Sequence, residues 1–65
     1  MSKEYVRDFQ GRILGSYETK SNGDIIVRDF QGRILGKYDK MYNVTRDFQG
    51  RIMSKGNAVG MLIKK

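Results

Sequence analysis

The chain has 65 residues and contains no cysteine, no histidine and no proline. Without cysteine it forms neither disulfides nor thiolate zinc sites, and without histidine it lacks the commonest general base and metal ligand. No apolar stretch reaches the roughly 18 residues that a membrane-spanning helix needs. The opening residues, Met1–Val6, lack the apolar core of a signal peptide. These absences predict a cytoplasmic protein without cofactors, metal ions or a membrane span.

Small size limits the chemistry of such a chain. A domain of this length buries only about 60% of its unfolded surface. It usually needs disulfides, a metal ion or a partner chain for stability. A carboxylate pair tuned for acid–base catalysis needs a cleft, which a single small sheet does not provide. Serine and lysine nucleophiles have no histidine or cysteine to activate them. We therefore expect that the protein is not an enzyme.

The charge balance is basic. Thirteen lysine and arginine residues against seven aspartate and glutamate residues give a net charge of +6. Such an excess favours a partner with negative charge, and nucleic acid is the first candidate. Small domains also commonly carry a charge of this size on an ordinary solvated surface. Charge alone leaves both interpretations open.

One heptad, Arg-Asp-Phe-Gln-Gly-Arg-Ile, occurs three times without a change. It covers Arg7–Ile13, Arg28–Ile34 and Arg46–Ile52, and its copies begin 21 and then 18 residues apart. Repeats of this period are typical of stacked units that cannot bury an apolar face alone. The chain is therefore predicted to be one domain built by copying a small unit.

The heptad predicts a β-hairpin. Asp8 suits the first position of a type I turn, and Gly11 suits the left-handed position that follows such a turn. Residues 9–11 then form the loop, with Asp8 facing Arg12. Continuing this register without interruption places Val6 opposite Leu14, Tyr5 opposite Gly15, and the corresponding residues opposite each other in the other copies.

The predicted fold is all-β: an antiparallel meander of six or seven strands, built from three hairpin repeats in a twisted or partly closed sheet. Asn22-Gly23 is a strong hairpin signal between the first two repeats, and residues 39–43 are expected to turn the chain again. The repeats cover residues 4–18, 24–38 and 42–54. The predicted strands are Glu4–Asp8, Arg12–Glu18, Asp24–Asp29, Arg33–Tyr38, Tyr42–Asp47 and Arg51–Ser54. Residues 57–65 form an apolar strand or a packing tail.

Alternation along the strands separates two faces. The face expected to form the core carries Tyr5, Ile13, Tyr17, Ile26, Ile34, Tyr38, Val44 and Ile52, with the stems of Arg7, Arg28 and Arg46. The other face carries Val6, Leu14, Val27, Leu35 and Met53 among the charged turn residues. Because no helix is predicted, the core face must be covered by curling of the sheet, by the C-terminal segment or by another molecule.

The heptad resembles the core of the Tyr-Asp (YD, or Rhs-type) repeat, which reads roughly Tyr-Asp-x-x-Gly-Arg-Leu. The matching residues are Asp8, Gly11, Arg12 and Ile13; Asp29, Gly32, Arg33 and Ile34; and Asp47, Gly50, Arg51 and Ile52. Arg7, Arg28 and Arg46 stand where that family has tyrosine. The resemblance covers a third of the chain. It implies β-hairpin geometry, from which that family builds long shells in secreted toxins and cell-surface proteins. Three copies are too few to form such a shell.

Arginine and phenylalanine of the heptad are the candidate recognition residues. They are Arg7, Phe9, Arg12, Arg28, Phe30, Arg33, Arg46, Phe48 and Arg51. Exposed aromatics beside arginine stack bases and hold phosphates. The alternative, which we favour from the sequence, is that each phenylalanine folds back onto the sheet and covers the thin core.

The apolar C-terminal residues Val59, Met61, Leu62 and Ile63 are candidates for self-association. Unpaired sheet edges with apolar side chains promote association, although the same segment is equally suited to closing the sheet within one chain. We predict a small structural or protein-interaction module, with self-association through sheet edges as one mode of binding. The alternative is a basic nucleic-acid-binding protein that uses the repeated arginines and loop phenylalanines.

Overall fold

A computed structural model describes residues 2–63 as one antiparallel sheet followed by a short 3-10 turn. Each strand pairs with the next one in sequence, and within these residues β1 and β6 form the two edges of an open sheet. The all-β meander predicted from the sequence is confirmed. The strands are β1 Ser2–Arg7, β2 Ile13–Thr19, β3 Ile25–Asp29, β4 Ile34–Asp39, β5 Val44–Asp47 and β6 Ile52–Lys55, and the turn is Val59–Met61.

Each heptad forms the predicted hairpin loop. In the first copy the N–H of Gly11 donates to the carbonyl of Asp8 at 3.0 Å, and the N–H of Asp8 donates to the carbonyl of Arg12 at 2.9 Å. Gly11 has a φ of +85°, a conformation that glycine adopts without steric cost. The Asp8 carboxylate closes the loop by accepting the N–H groups of Gln10 and Arg12, both at 2.9 Å. The other two copies repeat these bonds.

Beyond the loop, the predicted register is wrong by one residue. Arg7 lies opposite Ile13 as expected, but Val6 lies opposite Gly15, and Tyr5 lies opposite Ser16. Leu14 is the extra residue of a β-bulge. The same shift occurs in the second and third hairpins, where Val27 faces Gly36 and Thr45 faces Ser54.

The hydrophobic core draws on both predicted faces: Val6 and Val27 come from the face that we did not expect to be buried, whereas Tyr17 and Val44 come from the expected core face. Val6 and Val27 are buried at its centre, and Leu14, Tyr17 and Leu35 pack against them. The bulge explains the error, because one extra residue reverses the alternation in the strand that follows it. The residues of the expected core that are instead exposed are Tyr5, Ile13, Ile34 and Ile52.

The C-terminal segment covers this core, as a packing tail and not as a seventh strand. Ile63 is 5% exposed, while Leu62 and Val59 pack at the edge of the cluster. Two glycines of the sheet make room for the segment. A Cβ atom on Gly15 would lie 2.8 Å from Cδ1 of Ile63, and one on Gly36 would lie 2.9 Å from Cδ1 of Leu62. Residues 64 and 65 of the predicted tail lie outside the described residues.

Thr45 fastens the segment to the third hairpin. Its side chain is fully buried, its hydroxyl donates to the carbonyl of Gly56 at 2.8 Å, and it accepts the N–H of Ala58 at 2.9 Å. The same position is occupied by Val6 in the first hairpin and by Val27 in the second. A single change from valine to threonine therefore adapts the third repeat to hold the chain end.

The two connectors lie at the end of the sheet away from the heptads. The first has the same three-residue loop, with Gly23 at a φ of +95° and its N–H donating to the carbonyl of Lys20 at 2.9 Å. The second turns at Asn43, which has a φ of +54°. The N–H of Lys40 donates to the Asp24 carboxylate at 3.0 Å and joins the two connectors.

Candidate functional site

The three heptad loops lie along one end of the sheet. In a meander, hairpins β1–β2, β3–β4 and β5–β6 all turn at the same end, and strands about 4.8 Å apart place neighbouring loops about 10 Å from each other. We call these loops the loop row and define it as residues 9–12, 30–33 and 48–51. Because the three loops have the same hydrogen bonds, the row presents one surface motif three times.

The first arginine of each heptad supports its loop. Nη1 of Arg7 donates to the carbonyl of Gly11 at 3.0 Å, and Arg28 and Arg46 make the equivalent bond in their own copies. Arg46 also lies 3.8 Å from the Asp39 carboxylate. These three candidate recognition residues therefore have a structural role that the sequence did not suggest.

The second arginine is mostly free to meet a partner. Arg12 places its Nε 3.0 Å from the Asp8 carboxylate, yet 73% of its side chain remains exposed. Arg33 and Arg51 are held in the same way at 2.9 and 3.1 Å, with the same exposed fraction. One contact orients each guanidinium, while its other N–H groups face solvent.

The heptad aspartates are held in the ionised state. In Asp8 and Asp47 the pKa is lowered below the ordinary value of 3.8, chiefly by the backbone N–H of Arg12 or Arg51. In Asp29 partial loss of water raises the pKa, but hydrogen bonds from Arg33 outweigh this and the net shift is downward. Each loop therefore carries one fixed negative charge among its positive ones.

The phenylalanine side chains point into solvent. Phe9, Phe30 and Phe48 are 95%, 67% and 69% exposed. The expectation that they fold back and cover the core is wrong. The C-terminal segment already covers the core, and the loops leave each aromatic ring mostly in solvent.

An apolar stripe continues from the loop row onto the open face of the sheet. It consists of Ile13, Ile34 and Ile52, the first strand residue after each loop, and all three are exposed. Between the first two loops, Ile13 and Phe30 line a groove together with Arg28 and Tyr5. The sequence assigned these isoleucines to the core, and only the bulge that follows each of them signals their exposure.

The loop end and the connector end differ in charge. Each heptad has two arginines and one aspartate, so the three copies carry half of the net charge of +6. In the connectors, Lys20 and Lys40 are balanced by Asp24 and Asp39. The heptads therefore carry a net positive charge, and their loops expose three aromatic rings, whereas the connector end has balanced charges and exposes the ring of Tyr42.

The candidate self-association residues are only partly available. Ile63 belongs to the buried core cluster, and Leu62 and Val59 pack against that cluster. Met61 is the exposed member of the set. The structure thus uses most of this apolar segment within the chain.

The described part of the chain contains no group of three or more acidic, histidine or cysteine residues placed to hold a metal ion. Every buried polar side-chain atom of residues 2–63 has a hydrogen-bond partner. No helix among these residues is long and apolar enough to cross a membrane. The surface, and above all the loop row, is where the described residues offer unused binding groups.

Comparison with known proteins finds no match among protein-family models, curated proteins or solved structures. The resemblance of the heptad to the YD repeat therefore stays a prediction. The candidate site rests on the geometry of the loops themselves.

Proposed function

We propose that the chain is a small interaction module that binds a protein partner through the loop row. The observation that supports the proposal is the exposure of all three loop phenylalanines beside arginines that are 73% exposed. Exposed aromatic rings cost solubility and contribute nothing to this core. Aromatic and arginine side chains are also those that contribute most at protein interfaces.

The charges of the loop row favour a protein over a polyphosphate. Each loop holds an ionised aspartate beside its exposed arginine, and this fixed negative charge repels a polyphosphate more than it repels a surface of mixed charge. The alternating positive, negative and apolar groups match a protein surface that carries acidic and aromatic side chains. We place this module in the cytosol, as the composition of the sequence suggests.

Nucleic-acid binding is the second candidate. Phenylalanine at intervals of about 10 Å with arginine beside each ring is an arrangement on which single-stranded bases stack. In that case the affinity should fall steeply as the salt concentration rises, because phosphate contacts release counterions. Binding to a mixed acidic and aromatic protein surface should depend less on salt.

The two candidates are separated by one titration experiment. The probes are a random copolymer of glutamate and tyrosine, poly-glutamate as a charge control, and oligothymidine. We expect binding to the glutamate–tyrosine copolymer in about 100 mM salt, where surface charges are already partly screened, and weak binding to poly-glutamate. Preference for oligothymidine would support the second candidate. Failure of all three probes to bind would contradict both.

Matched variants test whether the loop row is the binding surface. Replacing Phe9, Phe30 and Phe48 with serine should abolish binding without unfolding the protein, because these rings are exposed. The control is Met41→Ser, which removes an 84% exposed apolar side chain from the connector end. If both variants bind equally well, the loop row is not the site.

A further inference from the structure

The two edges of the open sheet are not equivalent. Inside the sheet, β2 and β3 pair so that Gly15 faces Asp29 and Tyr17 faces Val27. Strands β4 and β5 use the same register, with Gly36 facing Asp47. The second strand of one hairpin therefore pairs with the first strand of the next in one repeated way.

Glycine is required for this pairing. A Cβ atom on Gly15 would overlap the carbonyl oxygen of Arg28 on the neighbouring strand, and one on Gly36 would overlap that of Arg46. These oxygens belong to backbone, so the contact is not relieved by rotating a side chain. A second strand accepts the first strand of a following repeat only when it has glycine at this position.

Strand β6 lacks that glycine. Its corresponding residue is Ser54, which faces Thr45. The strand ends at Lys55, and Gly56, with a φ of +80°, directs the chain away towards the core. The β6 edge is therefore closed to a further strand of the same kind.

Within residues 2–63, the outer edge of strand β1 pairs with no other strand. Backbone N–H and C=O groups point to alternate sides along a strand. Because the N–H of Asp8 points towards the second strand of its hairpin, the backbone groups of Lys3, Tyr5 and Arg7 point away from the sheet. Residues Ile26 and Arg28 of β3 use the equivalent groups to pair with β2. The β1 edge has the same arrangement without a partner strand among the described residues.

We propose that the β1 edge binds an extended segment of a partner protein with the pattern Gly-x-Tyr-acidic, added to the sheet as an antiparallel strand. Strands β2 and β4 carry this pattern at residues 15–18 and 36–39. The register of β2 against β3, transferred to β1, places the glycine opposite Asp8, the tyrosine opposite Val6 and the acidic residue opposite Tyr5. The acidic side chain then lies diagonally between Lys3 and Arg7 and meets opposite charges on both sides. Main-chain bonds give the affinity, and the glycine and the acidic residue give the specificity.

The partner segment is not supplied by a second folded copy of this chain. In a folded copy, β2 and β4 are paired on both sides and β6 has Ser54 where glycine is needed. The segment must instead be extended and unpaired before it binds. The β1 edge is a different surface from the loop row, and binding at the β1 edge does not require the loop row.

A peptide with the sequence of residues 12–20 is the probe, because it carries Gly-Ser-Tyr-Glu. Titration into the isotopically labelled chain should shift the amide resonances of Lys3, Tyr5 and Arg7. The matched peptide with Gly15→Ala should bind at least about tenfold more weakly, since the added methyl meets backbone. In the chain, Tyr5→Pro should abolish binding, because it removes an outward N–H at an edge position that tolerates proline.

Three results would overturn the proposal. They are equal binding of the two peptides, shifts centred on β6 or on the loop row, and no saturable shift up to about 1 mM peptide. If Tyr5→Pro fails to fold, the comparison of the two peptides on the unchanged protein still decides the matter.

Discussion

Thr45 links the third hairpin to the C-terminal segment, and replacing it with valine tests whether this link stabilises the fold. The hydroxyl donates to the Gly56 carbonyl at 2.8 Å and accepts the Ala58 N–H at 2.9 Å. Valine has nearly the same shape and already occupies the corresponding position in the other two hairpins. The substitution therefore removes two hydrogen bonds without disturbing the strand.

The expected loss of stability follows from these contacts. Each hydrogen bond contributes about 0.5–1.5 kcal/mol net. The extra buried methyl of valine offsets roughly 0.8 kcal/mol of that loss. Two such bonds contribute about 1–3 kcal/mol, so after this offset the free energy of unfolding should fall by about 0.2–2 kcal/mol. A domain of this length typically has roughly 3–10 kcal/mol in total. The melting temperature should fall, by up to about 16 °C.

Urea unfolding followed by circular dichroism and by tyrosine fluorescence measures this change. Amide exchange at Ile63 should also become faster, because the C-terminal segment loses its attachment. Val27→Thr is the reciprocal control: it places a hydroxyl at a fully buried position and should cost about 1–3 kcal/mol. An unchanged or higher free energy of unfolding for Thr45→Val, with unchanged amide exchange at Ile63, would refute the role that we assign to this hydroxyl.

Two further predictions concern the packing and the loops. Gly36→Ala should lower the free energy of unfolding by about 1–3 kcal/mol, because a Cβ atom would overlap the Arg46 carbonyl and press on Leu62. Urea titration measures this change, and an unchanged unfolding midpoint would contradict the packing. The heptad aspartates have a lowered pKa in the folded state, so their stabilising effect is complete above the ordinary value of 3.8 and is lost as pH falls through the folded values. Urea midpoints should therefore drop on acidification below about pH 4, and replacing all three aspartates with asparagine should remove most of that drop.

Local chemistry made the hairpins predictable. Asp8 and Gly11 stand three residues apart between strand-forming residues, and this spacing favours one turn conformation. The turn depends on no distant contact. The same argument predicted the loop between Lys20 and Asp24. Six strands in sequence order then followed, since consecutive hairpins form a meander.

The face of the core was not predictable in the same way. One extra residue at Leu14 reverses the side on which every later residue of β2 lies, and nothing in the heptad announces it. The exposure of the loop phenylalanines was missed for a related reason. We expected Phe9 to cover the core because the core of so short a chain is thin. Leu62 and Ile63 of the C-terminal segment provide that cover instead.

The sequence by itself determined the repeating unit, its turns, the charge of its loops and the all-β class, because each depends on residues a few positions apart. Only the tertiary structure decided which face is buried and which side chains remain for binding. Those properties depend on long-range contacts between the C-terminal segment and two strand glycines, Gly15 and Gly36. They also depend on one threonine, Thr45, that replaces valine in the third repeat.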